Sequence, residues 1–448
     1  MGGTQMAGEA ARLDVPGIGW DDTGRAEVSD EARLKEFGAE ALARLAALSE
    51  DDAERARARR ALWQVAEAVG IRSASTEGLY RARATGGWSG FTVPALNLRM
   101  LTFDSARAAL RAAQSLKSSA LIFEIARSEM GYTGQRPQDY GALVVAAAIA
   151  EGWRGPLFLQ GDHFQVAARR DRLREVAALK DLIDEALEAG FRNIDIDAST
   201  VVDLTRATPE EAQAENATLT AELAAHIRQR RRDSGAVPVS IGGEIGEVGK
   251  ENSTERDLSA FLDGVESLLE DAHRAPGLSK VSVQTGTHHG GVVLPDGRMA
   301  QVAVDFSVHK RLSAICRERY GIGGTVQHGA STLPDDLFDR FPDSDAVEIH
   351  LATGFQNLVL EHLPAELHAE MDRFVLERFG SERNEGDTEE QFLYRNRKRT
   401  AGPFKRRLWD LSIDGRERIG RALEEKCRTV FERLGVRDSD TVVETFSE

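Results

Sequence analysis

Five of the ten histidines, His163, His288, His289, His328 and His350, stand at the ends of short β-rich runs. Neutral imidazole is the commonest ligand of catalytic zinc, and three imidazoles with one open position make a Lewis acid. A lone histidine at a strand end is most often an ordinary satisfied side chain, but several on one rim point to a metal. Carboxylates accompany them. Asp162 directly precedes His163. On an extended strand neighbouring side chains diverge, so one can bind metal while the other faces the substrate as acid or base. Glu124, Asp195, Asp197 and Glu244 also stand at or near strand ends. Gly290 and Gly291 follow His289, and Gly329 precedes Ser331. Without a Cβ, backbone N–H groups there can close on an anion. Tight turns need glycine for the same reason, so this signal is weak alone.

The elements that must position these residues begin near Gly90. Eight strand-like runs follow: FTVPALNL (91–98), ALIFEIA (120–126), PLFLQGD (156–162), RNIDIDA (192–198), VPVSIGGEIG (237–246), KVSVQTG (280–286), GTVQHG (324–329) and AVEIHLA (346–352). Helix-like stretches such as LREVAALKDLIDEALEAG separate them. Alternating β and α elements imply a parallel sheet. Eight units over about 260 residues match a (β/α)8 TIM barrel, whose active sites form at the C-terminal strand ends. A doubly wound open sheet is the rival, but no GxGxxG follows the first strand. The expected layout is an N-terminal arm and helical extension (1–88), the barrel (89–358) and a C-terminal helical extension (359–448). Within the first segment, residues 1 to about 30 read as a loose arm. Residues 31–70 read as two helices, with Ser49 to Asp52 starting the second. In the last segment an acidic run (381–390) precedes a basic one (395–407), the strongest local reversal of sign.

Composition excludes several classes. Lys and Arg total 57 against 73 Asp and Glu, a net charge of −16, so no nucleic-acid partner is expected. Two cysteines, Cys316 and Cys427, allow neither a disulfide framework nor a cysteine zinc site. The longest strictly apolar run, Ala142 to Ala150, is nine residues, well short of the roughly 20 that a membrane helix needs. The N-terminus carries no secretory or acylation pattern. No membrane association is expected, and the expected location is cytoplasmic.

Six stretches, FTVPALNL, LFLQGDH, FRNIDIDAST, GGEIGEVG, GTHHGGVVL and VQHGAST, occur in an order that resembles the class II, zinc-dependent fructose-bisphosphate and ketose-bisphosphate aldolases. The resemblance implies one catalytic Zn2+ per chain, held by His163, His289 and His328, with Glu244 as an alternative ligand. It also admits a monovalent cation. His288 is the next candidate should His289 point away. Asp162 corresponds to the residue that exchanges the C4 hydroxyl proton, and Glu251 is the nearest match to the loop acid that moves the C1 proton. Asn97, Asp197, Gly290, Gly329, Ser331 and Thr353 correspond to substrate positions, and Glu124 and His350 occupy two more. Arg407, two before Trp409, corresponds to a basic residue that reaches a second phosphate across a dimer, which implies a homodimer or higher homo-oligomer. The expected reaction is cleavage or formation of the C3–C4 bond of a phosphorylated ketose, giving dihydroxyacetone phosphate or a relative plus an aldehyde.

The departures lie around the substrate. Gln160 stands where the family has histidine, Glu124 where it has glutamine and Ala126 where it has serine. The loop after His289 lacks Lys-Pro-Gly, and Arg99, Arg127 and Arg298 are candidate replacements for its lysine. Strand eight reads Glu348-Ile349-His350-Leu351-Ala352-Thr353 in place of Asn-Ile-Asp-Thr-Asp. The metal and C4 acid/base residues are kept, while phosphate and enediolate contacts differ. The alternative class is a non-catalytic barrel subunit that stabilises a partner enzyme. EMGYTGQRPQDY (129–140) resembles a segment of such subunits of tagatose-bisphosphate aldolase.

Overall fold

The computed structural model describes residues 12–168, 171–235, 237–246, 251–269, 277–286 and 304–447. Residues read as a loose arm hold instead a small antiparallel hairpin of β1 (Ile18–Trp20) and β2 (Ala26–Val28). Its Trp20 indole donates to Leu13 O at 3.1 Å, which pins the chain before it. Two helices follow, α1 (Ala39–Leu48) and α2 (Asp52–Ala68). The Asp51 carboxylate caps α2, accepting from Ala53 N–H at 2.8 Å and satisfying one orphan donor of its first turn.

The eight anticipated strands form one closed parallel barrel. They are β4 (Val93–Asn97), β5 (Ile122–Ala126), β6 (Gly155–Gln165), β7 (Asn193–Asp197), β8 (Ser240–Glu244), β9 (Lys280–Ser282), β10 (Thr325–Gln327) and β11 (Glu348–Leu351). Each pairs with the next in sequence, and β11 pairs with β4 to close the ring. The nine-residue apolar run lies in the helix Pro137–Ala150. Its apolar residues face all round because the helix is buried beneath α1, α2 and the helix Thr102–Ser115. Among the described residues no helix is long and apolar enough to cross a membrane.

A ninth strand was not anticipated. β3 (Ile71–Ala74) pairs in parallel with the first residues of β6, from Ile71 opposite Gly155 to Ala74 opposite Phe158. β7 takes up pairing with β6 only from Gln160 onward. β3 therefore fills a wedge at the N-terminal end of the barrel. Asn193 locks it there: its Oδ1 accepts from Thr76 N–H at 2.8 Å, and its Nδ2 donates to Leu159 O at 3.0 Å. The helix α3 (Glu77–Ala84) then forms the barrel floor. Its Arg81 donates to Gly321 O at 3.0 Å, and its Tyr80 side chain is wholly buried. The segment 71–84, read as part of the N-terminal extension, is thus built into the barrel.

Barrel interiors are ordinarily filled by branched apolar side chains. This one carries Glu124, Gln160, Asp195, Lys280, Glu348 and His350, all buried. The Lys280 ammonium donates to Gln160 Oε1 at 2.7 Å and to Glu348 Oε1, and it lies 2.9 Å from Asp195 Oδ2. Burial pulls its pKa down, but the Asp195 and Glu348 carboxylates outweigh that and raise it, so the lysine is charged. Removing one member of a buried ionic group leaves the others uncompensated, which costs about 3–5 kcal/mol. Lys280→Met is therefore expected to lower the urea-unfolding free energy by about 3 kcal/mol, and adding Glu348→Gln should recover part of the loss. A loss under about 1 kcal/mol would place these pairs with ordinary surface ion pairs.

Candidate functional site

The site is built where β6 leaves the barrel. The β6–β7 register shifts between Gly161 and Phe164, and His163 has a left-handed backbone, φ 40°. Gly161 permits this, because a Cβ there would sit 2.5 Å from the Phe164 ring. The bulge overturns the expected divergence of Asp162 and His163. With one residue inserted, both side chains reach the barrel mouth, and Asp162 Oδ1 lies 3.8 Å from His163 Nε2.

His163 Nε2 faces His328 Nδ1 at 3.0 Å. The other ring nitrogens also have close partners. His163 Nδ1 lies 3.0 Å from Asp197 Oδ2 and 3.1 Å from Glu244 Oε2, and His328 Nε2 lies 2.8 Å from Ser282 Oγ. One ligand atom from each of His163, Glu244 and His328 lies within 4.8 Å of the others. Two imidazoles and a carboxylate, with the imidazoles oriented by partners behind them, fit a divalent cation. Asp162, His328 and His350 meet the same distance condition. His289 and Gly290, together with His288 and Arg298, lie outside the described residues.

Asp162 is held on both oxygens. Asn97 Nδ2 donates to Oδ2 at 3.0 Å, and His350 Nδ1 lies 3.2 Å from Oδ1. Burial favours the neutral acid, but His163 and His350 outweigh it and hold the carboxyl well below its ordinary range. Glu124 lies 3.1 Å from His350 Nδ1, and burial pushes its carboxyl up to about 8. Glu348 Oε1 lies 2.6 Å from His350 Nε2.

These contacts place three of the candidate residues. Glu124 is fully buried, and His350, as buried as Asp162 itself at 4% exposure, lies against Asp162 and His328. Asp197 lies behind His163, where its other oxygen accepts from Ser199 Oγ at 2.5 Å and Ser199 N–H at 3.0 Å.

Gly329, Ser331 and Thr353 stand near one another after β10 and β11. Gly329 has φ 70°, in the left-handed region. Ser331 Oγ accepts from Gly354 N–H at 3.1 Å, and a Cβ on Gly354 would meet Ser331 O at 2.1 Å. Thr353 opens the helix Thr353–Glu361, and its hydroxyl accepts from Arg99 Nη1 at 3.3 Å. Arg99 Nε donates to Glu129 Oε1 at 2.6 Å, and Glu129 Oε2 accepts from Asn97 at 3.1 Å. Of the candidate replacements for the missing lysine, Arg99 is thus tied to Thr353 at the mouth. Arg127 is spent on Glu175 and Gln165 O. Glu251 is exposed, two residues from Ser253, whose N–H donates to Gln284 O just past β9 at 2.9 Å. Arg407 is exposed on the short helix Lys405–Trp409 and pairs with Glu370 at 3.1 Å. Among the described residues, no hydrogen bond or ion pair joins it to the site residues above.

Sequence reasoning did not assign roles to Glu129, Lys280, Ser282 or Tyr80. A signal existed for one of them: Lys280 occupies a strand position where a buried apolar residue is expected.

A family profile, fructose-bisphosphate aldolase class-II, matches residues 81–430. A search of curated proteins gives no match. Among solved structures, a probable tagatose 6 phosphate kinase from Sinorhizobium meliloti is similar at TM-score 0.54 and 17% identity, covering 79% of this chain and 99% of that one. A fructose-bisphosphate aldolase from Campylobacter jejuni is similar at TM-score 0.51 and 16% identity, covering 82% and 97%. A fructuronate-tagaturonate epimerase from Cohnella laeviribosi has TM-score 0.49 and 13% identity, covering 97% and 95%. At these identities the structural likenesses speak to the barrel alone. The family match carries more, since it runs through every barrel strand from β4 to β11, and on it the chain belongs to the class II fructose-bisphosphate aldolase family.

Proposed function

We propose that this chain is a metal-dependent aldolase that cleaves or forms the C3–C4 bond of a phosphorylated ketose, with zinc as its metal. The observation that carries this reading is Asp162: a buried carboxylate held in its charged form beside the His163–Glu244–His328 donor set. When bound, the metal supplies electrophilic polarisation of the substrate carbonyl. The chain's residues do the rest. Asp162 accepts the C4 hydroxyl proton as the C3–C4 bond breaks and returns it in the synthetic direction. Asn97 and His350 fix the carboxylate in place. Glu251 serves as the loop acid for the remaining three-carbon fragment, which leaves as dihydroxyacetone phosphate or a relative. Gly290, Gly329, Ser331 and Thr353 bind the phosphate, with Arg99 as its cation. Arg407 reaches a second anionic group from a partner copy in a homo-oligomer, and the protein works in the cytoplasm.

The substrate is not simply fructose 1,6-bisphosphate held by the family's usual contacts. The lost lysine removes a charge-assisted hydrogen bond of about 1.5–3 kcal/mol, and Ala352 removes an acceptor beside it. Zinc-loaded protein is expected to cleave fructose 1,6-bisphosphate with kcat/KM well below about 10⁴ M⁻¹s⁻¹, and another phosphorylated ketose faster. A screen of phosphorylated ketoses for aldehyde release, run with metal analysis, checks this. Ordinary turnover of fructose 1,6-bisphosphate would show that the departures are tolerated. No cleavage of any ketose by metal-loaded protein would favour the non-catalytic subunit.

A further inference from the structure

We infer that Tyr80, on the barrel floor, is a positioning residue for Asp162 at the barrel mouth. The two are joined by a continuous line of buried side chains. Tyr80 Oη donates to Glu348 Oε2. The other oxygen of Glu348 lies 2.6 Å from His350 Nε2, and His350 Nδ1 lies 3.2 Å from Asp162 Oδ1. Every member is at most 4% exposed. The line has little freedom to relax sideways. Lys280 and Gln160 both donate to the Glu348 oxygen that faces His350, and the His350 ring lies 4.1 Å, centroid to centroid, from that of His328.

Tyr80 comes from α3, one residue before the family match begins at residue 81. Glu348 and His350 are among the departures on strand eight. The departures and the extra segment thus form one device. The tyrosine hydroxyl fixes which way the Glu348 carboxylate turns, the carboxylate fixes the His350 ring, and the ring fixes Asp162 Oδ1. A hydrogen-bond partner directly behind a metal ligand is worth about 10–100-fold; Tyr80 acts through two further side chains, so its expected effect lies at or below the low end of that range.

The test is Tyr80→Phe in the full-length, zinc-loaded protein, with Glu348→Gln and the double variant beside it. The kinetic arm rests on the aldolase reading and uses the best ketose phosphate from the screen. The expected result is a fall in kcat of up to roughly tenfold, with KM and metal content unchanged. The double variant should lose little more than Glu348→Gln alone, because the two act through one line. A second arm needs no activity: imidazole ¹⁵N NMR of histidine-labelled protein, with His350 assigned from His350→Gln. Its nitrogens should shift in Tyr80→Phe. Unchanged kcat, or a kcat loss that multiplies in the double variant, would overturn the inference. So would a loss that merely tracks unfolded protein while the His350 signals of the folded fraction stay put. If the wild-type protein cleaves nothing, the aldolase reading fails separately. The ¹⁵N arm then decides alone: moved signals support the line, and unmoved signals reject it.

Discussion

Asp162→Asn should lower the cleavage rate by at least about 10³-fold while leaving the bound metal in place. The amide keeps the shape of the carboxyl but cannot take a proton from the C4 hydroxyl. The amide oxygen can keep the hydrogen bond from Asn97 Nδ2, while the amide NH2 turns to His350 Nδ1 and needs that nitrogen to accept. Metal analysis and steady-state kinetics on the same preparation separate the possibilities. A variant that loses its metal would make Asp162 part of the donor set, an arrangement the Asp162–His328–His350 grouping makes concrete. A variant with unchanged turnover would remove the acid/base assignment and favour a non-catalytic role.

The second large effect concerns the metal. His163→Ala and His328→Ala should each abolish stoichiometric binding of about one divalent ion per chain, and activity with it. Asp197→Asn, which disturbs only the partner behind His163, should weaken binding by about 10–100-fold without abolishing it. Affinity should also fall steeply with acid. In the metal-free protein, burial lowers the pKa of His163, but the carboxylates of Asp162 and Glu244 outweigh it and raise the pKa well above the ordinary histidine value. The ion must then displace a firmly held proton, so affinity climbs as pH rises toward that raised pKa and levels off above it. Calorimetric titration across pH in two buffers of different ionisation enthalpy reads the proton release directly. Metal binding that survives both alanine substitutions would move the site elsewhere in the barrel. His289→Ala tests the third ligand that the sequence names.

The eight barrel strands were legible because each is a short β-rich run between helix-like stretches, and because the chemistry-bearing residues cluster where such runs end. His163 and His328 were legible on the same ground. The bulge after Gly161 was not: nothing in GDHF announces that one inserted residue would turn both Asp162 and His163 toward the mouth. The resemblance assigns Glu124 and His350 to the substrate by their positions on the second and eighth strands. The register sets them opposite Gln160 and Ala95, where their partners are one another, Asp162 and Glu348. β3 went unseen because IRSA is short and follows a helix directly. Its place in the sheet depends on a gap between β6 and β7 that no local pattern encodes. Lys280 carries no role in the reading of KVSVQTG because nothing local shows that Asp195 and Glu348 converge on it.

The barrel floor has a consequence for how the chain comes off the ribosome. Tyr80 is made well before its partner Glu348, which follows 268 residues later. The floor therefore stays unlaid until β11 is made, with Tyr80 waiting for Glu348. A nascent chain that has not yet released β10 and β11 also leaves the free edges of β4 and β9 unpaired at the same time. Those edges can add strands from neighbouring nascent chains. A pause in synthesis between β9 and β11 is thus expected to increase aggregation of the nascent chain, measured as the soluble yield with slow codons placed in that stretch.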